Sequence, residues 1–150
     1  GDGDLDLFVG GRVVAGRYPE GADSLLLKNE GGRLVLAQRL ENVGLVSGAV
    51  WSDLDGDGTP ELVLACEWGP LRIFRNERGH LVAWDPPVTD NQPPATHNQQ
   101  KVTLNQLSGW WNGVTTGDLD GDGRTVNTGP AGSIRARFTM GTWTATGRWT

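Results

Sequence analysis

A six-residue acidic loop occurs twice without change, as Asp53-Leu54-Asp55-Gly56-Asp57-Gly58 and Asp118-Leu119-Asp120-Gly121-Asp122-Gly123. A third copy, Gly1-Asp2-Gly3-Asp4-Leu5-Asp6, keeps only the later part of the pattern. Carboxylates at alternating positions of a tight turn bring several hard oxygen donors to one point. At an effective dielectric of about 20, two such charges about 4 Å apart repel by about 4 kcal/mol. A hard divalent cation removes that conflict, and calcium accepts roughly six to eight oxygens in flexible geometry. The loop therefore reads as a calcium (Ca2+) site, and its recurrence means that the chain is a series of similar units.

With Asp53 as position 1, the side-chain donors are Asp53, Asp55, Asp57 and, at position 9, Glu61, with the Thr59 carbonyl at position 7. Gly56 and Gly58 suit backbone angles that residues with a Cβ adopt poorly. An EF-hand begins the same way but needs a bidentate Glu at position 12 and flanking helices. Position 12 is Leu64 here and Gly129 in the later copy. The residues after the loop, Glu61-Leu62-Val63-Leu64-Ala65, pattern as a buried strand. The EF-hand is excluded on both counts. A solvated Asp-Gly turn without an ion is the plain alternative; three copies at one place in a longer repeat weigh against it.

The other copies are less complete. The later loop offers Asp118, Asp120 and Asp122 but has Val126 at position 9. The first keeps Asp2 and Asp6 at positions 5 and 9, with Asp4 at the carbonyl position.

Similarity extends beyond the loops. Ser47-Gly48-Ala49-Val50-Trp51-Ser52-Asp53 parallels Asn112-Gly113-Val114-Thr115-Thr116-Gly117-Asp118, and Leu5–Val9 parallels Pro60–Leu64. Leu27-Lys28-Asn29-Glu30-Gly31-Gly32-Arg33-Leu34 matches Phe74-Arg75-Asn76-Glu77-Arg78-Gly79-His80-Leu81, two strands about an Asn/Gly turn. In the fullest unit four strands are expected, at Gly48–Ser52, Glu61–Cys66, Leu71–Asn76 and Gly79–Trp84. Four-stranded sheets repeating at this spacing predict an all-β chain, a partial β-propeller of about two blades plus the start of a third. The expected organisation is a blade-like repeat lacking its first strand (1–46), a blade with a complete acidic loop (47–84), an inserted loop (85–106), the start of the next repeat (107–123) and a divergent tail (124–150).

The Asp-Leu-Asp-Gly-Asp-Gly loop followed by an apolar strand resembles the FG-GAP, or VCBS-type, repeat of integrin-α-like β-propellers. Leu107-Ser108-Gly109-Trp110-Trp111-Asn112-Gly113 before an acidic loop is similar to bacterial FG-GAP proteins of the UnbV-associated kind. The resemblance implies calcium at the loop residues named above, further blades of the parent chain as packing partners, and no catalytic residue. It departs from the family at position 9, where Glu61 stands in place of the usual Asp.

Ten of the 18 acidic residues lie in the three loops: Asp2, Asp4, Asp6, Asp53, Asp55, Asp57, Glu61, Asp118, Asp120 and Asp122. The remaining eight face 13 Lys and Arg, so the formal charge of −5 is concentrated in the proposed ion sites. Two bound calcium ions would bring it to about −1. There is no basic stripe with interleaved aromatics, which argues against nucleic acid, and no apolar run of membrane-spanning length. Cys66, the single cysteine, lies in an apolar strand and reads as a buried thiol. Extracellular calcium modules work at roughly 10⁻⁴–10⁻³ M, which points to an exported location, periplasmic, cell-surface or secreted.

Two stretches break the repeat. Asp85–Lys101, with Pro86, Pro87, Pro93 and Pro94, reads as an irregular connection between blades. Arg124–Thr150 has no acidic residue but seven Thr and four Arg. It is either a divergent β segment, with Ile134, Phe138, Met140 and Trp143 alternating with polar residues, or a stretch that is not the native continuation, as after a shift of reading frame; the second is favoured. The tryptophans raise a carbohydrate ligand, since indole faces stack on sugar rings, but packing between blades is the favoured role. If strand-borne, Trp110 and Trp111 point to opposite faces. The expected function is a non-catalytic calcium-binding scaffold for adhesion or binding, its ligand a protein or a carbohydrate. The alternative is an accessory propeller region of a larger hydrolase whose catalytic residues lie elsewhere. His80 and His97 sit in no nucleophile or zinc motif, and Ser47-Gly48 and Ser108-Gly109 lack a hydrolase elbow.

Overall fold

The computed structural model describes residues 3–86 and 103–117, with the backbone of two short strands further on. In chain order the strands are β1 (Leu7–Val9), β2 (Ser24–Glu30), β3 (Arg33–Leu40), β4 (Leu45–Ser52), β5 (Glu61–Pro70), β6 (Arg72–Glu77), β7 (His80–Trp84), β8 (Ser108–Trp110), β9 (Asn127–Gly129) and β10 (Ser133–Arg135). The described residues contain one 3₁₀ turn, Leu104–Gln106, and no α-helix. The all-β expectation holds.

Turn chemistry sets the hairpins. In the β2–β3 turn Asn29 Oδ1 accepts the Gly32 N–H at 2.8 Å, and in the β6–β7 turn Asn76 Oδ1 accepts the Gly79 N–H at 2.8 Å. Both turns place two successive residues at positive φ, Gly31 (63°) and Gly32 (89°) in one, Arg78 (55°) and Gly79 (89°) in the other. That combination belongs to tight hairpin turns matching the strand twist. The sequence repeat is thus also a repeat of geometry.

The sheets are antiparallel: β1-β2-β3, and a second in the order β4-β5-β6-β7 with β8 added against β5. The second contains the expected four-stranded meander, and the antiparallel sheets are consistent with the expected partial propeller. Two strands run longer than expected. β5 continues to Pro70 because its far half pairs with β8, Glu67 opposite Trp110 and Pro70 opposite Ser108. β4 starts at Leu45 because Leu45 and Val46 pair with Glu67 and Cys66 before a bulge at Val46/Gly48.

β5 is the axis of the core. Its successive side chains point to opposite faces, and both faces are covered. Leu62, Leu64 and Cys66 pack with Leu40, Val43, Val46 and Leu81, joined by Phe8 and Leu26 of the first sheet. Val63 and Ala65 pack on the other side with Leu54, Leu71, Ile73 and Leu104, and Trp84, Leu107, Trp111 and Val114 close over them. Cys66 is fully buried, and burial pushes its thiol pKa up, in agreement with a structural thiol.

Polar contacts tie neighbouring units. Gln38 on β3 clamps the Leu81 backbone on β7, its Nε2 donating to the carbonyl at 2.9 Å and its Oε1 accepting the N–H at 2.7 Å. Arg12 pairs with the buried Glu67 at 2.6 Å. On the other side, a Cβ on Gly48 would lie 2.9 Å from the Gly113 Cα, so Gly48 has to be a glycine where it meets the equivalent glycine of the next unit.

The expectation of tryptophans packed between blades needs correction. Trp84 and Trp111 lie against the core, but Trp68 and Trp110 are 61% and 62% exposed and Trp51 is 43% exposed. Trp68 and Trp110 stack on each other, ring centroids 4.9 Å apart, and the Trp68 Nε1–H donates to the Tyr18 hydroxyl at 2.7 Å. The cause is the register shift between Glu67 and Gly69, where Trp68 takes φ +59° and leaves the ladder. Trp110 and Trp111 do diverge, one outward and one inward.

Residues 87–102, which hold most of the expected inserted loop, lie outside the described residues, as do Phe138, Met140 and Trp143 of the tail. In the tail β9 and β10 pair antiparallel, Ile134 opposite Thr128.

Leu64 is fully buried and Leu34 is 47% exposed. Leu64→Ala is expected to cost about 2–5 kcal/mol of unfolding free energy and Leu34→Ala well under about 1 kcal/mol, read from urea denaturation midpoints.

Candidate metal centre

The acidic loop is the connection between β4 and β5, closed at its base by the pairing of Ser52 with Glu61. Its aspartates fold the turn by accepting its own amides. Asp53 Oδ1 takes the Gly56 N–H at 2.7 Å and Oδ2 the Gly58 N–H at 2.9 Å. Asp55 Oδ1 takes the Asp57 N–H at 3.2 Å, and Asp57 Oδ1 takes the Thr59 N–H at 2.7 Å. Gly56 and Gly58 have φ of 79° and 86°, the left-handed region where a Cβ is disfavoured.

Glu61 differs from the aspartates. It is the first residue of β5, only 2% exposed, and its Oε2 accepts the Leu54 N–H at 2.8 Å from across the loop. Carboxylate oxygens of Asp53, Asp55 and Glu61 all lie within 4.8 Å of one another. The set is entirely hard oxygen, as calcium or magnesium prefers. Residues 53–125 match a family model described as an FG-GAP-like repeat. This segment is consistent with an FG-GAP-type repeat. Comparison with curated proteins and with solved structures gives no match.

Within the FG-GAP-type repeat, three of the five sequence-predicted positions of the central loop come together: Asp53, Asp55 and Glu61. Asp57 lies outside that group, and Thr59, expected through its carbonyl, enters the loop's hydrogen bonding through its amide. In the first loop Asp6 accepts the Asn29 N–H at 2.9 Å through Oδ1. Asp2, Asp118, Asp120 and Asp122 lie outside the described residues.

The sequence reading missed Arg75. From β6 its guanidinium pairs with Asp55, reaches to 3.9 Å from Glu61 Oε1, and lies 3.5 Å from the centre of the Trp84 ring. A signal was present in the aligned hairpins, where Lys28 and Arg75 occupy the same position. Nothing in that local pattern tells which acid the base meets.

The Glu61 carboxyl is held above the usual range. Burial is the main cause, the Leu54 amide opposes it, Asp55 and Asp57 add to it, and Arg75 opposes it. The folded chain therefore binds a proton at Glu61 more tightly than the unfolded chain does. Without metal, the stabilisation linked to that proton is fully present below the ordinary value of 4.5 and is lost as pH rises through the higher folded pKa. Urea midpoints in EDTA, measured for wild type and Glu61→Gln from acid pH upward, are expected to converge below that ordinary value. Above it the wild type should fall progressively behind the variant.

Proposed function

We propose that this chain is a non-catalytic, calcium-binding β-propeller segment of an exported protein, serving as a scaffold for adhesion or binding. The observation that carries the reading is the convergence of Asp53, Asp55 and Glu61 at the junction of two core strands within an FG-GAP-type repeat. Asp53, Asp55 and Glu61 are the residues that would hold the ion, with Asp57 and the Thr59 carbonyl supplying further oxygens from the same turn. A bound divalent ion supplies positive charge that cancels carboxylate repulsion at a buried position.

The chain's own residues explain why such charge matters to the fold. Glu61 begins the most buried strand, so its carboxylate cannot turn to solvent without disturbing β5. Asp53 and Asp55 belong to the turn that sets the β4–β5 register, and the core of both units is built on that register. The proposed role is therefore ordering: the loop fixes one end of the sheet, and partner contacts come from loops carried by that rigid edge. Support for an exported setting is the match to a repeat resembling extracellular propellers and the modest affinity expected of such loops. No helix among the described residues is long and apolar enough to cross a membrane.

Thermal melting with calcium is the direct test. With a Kd of roughly 10⁻⁴–10⁻³ M, about 10 mM calcium is expected to stabilise the chain by about 1.4–2.7 kcal/mol over EDTA. Asp55→Ala should abolish most of the increment and Asp57→Ala should reduce it. An increment unchanged in both variants, with calcium affinity also unchanged, removes the metal from the function.

A further inference from the structure

We propose that Arg75 is the resident counter-ion of the acidic loop, holding its carboxylates when no divalent cation is present and competing with calcium for them, so that it sets the site's affinity. This inference rests on the proposed calcium role of the loop.

Register places the arginine. On β6–β7, Arg75 stands opposite Val82 and Ile73 opposite Trp84. Arg75 and Trp84 are thus diagonal neighbours on one face, and the indole supports the guanidinium from beneath at 3.5 Å. From that position Arg75 Nη2 donates to Asp55 Oδ2, and Nε stops 3.9 Å from Glu61 Oε1. One side chain therefore contacts two of the three grouped carboxylates.

The fit is partial in a way that indicates competition. The Nε–H is buried with no hydrogen-bond partner, since 3.9 Å exceeds hydrogen-bond reach. One positive charge also faces three carboxylates, which is less than a divalent ion supplies at the same place. The oxygen that pairs with Arg75 on Asp55 is the one its turn does not use, because Oδ1 already takes the Asp57 amide. A cation that takes Asp55 Oδ2 must therefore draw it from the guanidinium. The aligned position of the preceding unit is also basic, Lys28, so a cation recurs where the repeat would need one.

Calorimetric titration of calcium chloride into the 150-residue chain and its Arg75→Gln variant tests this. The variant is expected to bind calcium about tenfold more tightly and, in EDTA, to melt at a lower temperature than wild type. An arginine that is only structural would lower the melt and leave calcium affinity unchanged or weaker, and that result overturns the proposal. Wild type and variant both failing to bind calcium overturns the calcium reading and this inference together. Should Arg75→Gln not fold, the wild-type Arg75 Nε–H resonance, identified by its loss in Arg75→Lys, provides the second measurement. Saturating calcium should shift it strongly, and a resonance that stays in place while calcium binds overturns the proposal.

Discussion

The double-sided burial of β5 is the constraint on which the remaining structure depends. A strand with both faces covered cannot slip by one residue, because every side chain would change faces at once. Leu62, Leu64 and Cys66 look toward one neighbouring unit, Val63 and Ala65 toward the segment that follows. The register of β5 thus decides how both neighbours sit. It also decides where Glu61 falls, since that residue begins the strand and inherits its burial. An acid at the start of such a strand is costly to ionise, which is why the acidic loop and the apolar core form one problem rather than two.

The loop answers part of that problem with its backbone. Asp53 draws in the amides of Gly56 and Gly58, Asp57 that of Thr59, and Glu61 that of Leu54. Each such bond fixes the direction of its carboxylate. The two glycines at positive φ let the chain curl tightly enough for those amides to point inward. What amides cannot supply is net charge, and this remaining deficit is where Arg75 and the proposed cation act.

Local pattern carried much of the fold. The Asn/Gly turns at Asn29–Gly32 and Asn76–Gly79, the apolar run of β5 and the acidic hairpin were all legible, because each is specified within about ten residues by turn chemistry or period. Failures came where a distant partner decides the outcome. The pairing of Glu67–Pro70 with β8 spans about forty residues and lengthened β5 beyond its apolar run. The same junction turned Trp68 outward onto Trp110, so a large apolar residue that reads as core became surface. Within the site, Asp53, Asp55 and Glu61 were legible from spacing. Arg75 was not, since it comes to the loop across the β5–β6 pairing and is held by a tryptophan on a third strand.

Coupling between units follows from the contacts that cross them. Gln38 hydrogen-bonds the Leu81 backbone through both ends of its amide, and Phe8 and Leu26 of the first sheet complete the core under Leu62 and Leu64. Gly48 and Gly113 meet on the opposite side, and Trp111 accepts the Ser47 hydroxyl at its carbonyl at 2.6 Å. The β4–β7 unit is therefore stabilised by the one before and by the segment after, the nearest-neighbour arrangement of a repeat architecture. In such an array a loop that stiffens the β4–β5 hairpin does not act on its own blade alone. It would steady the strand against which both neighbours pack, so the proposed neutralisation of charge at Asp53, Asp55 and Glu61 would reinforce packing at Leu40 on one side and Leu104 on the other.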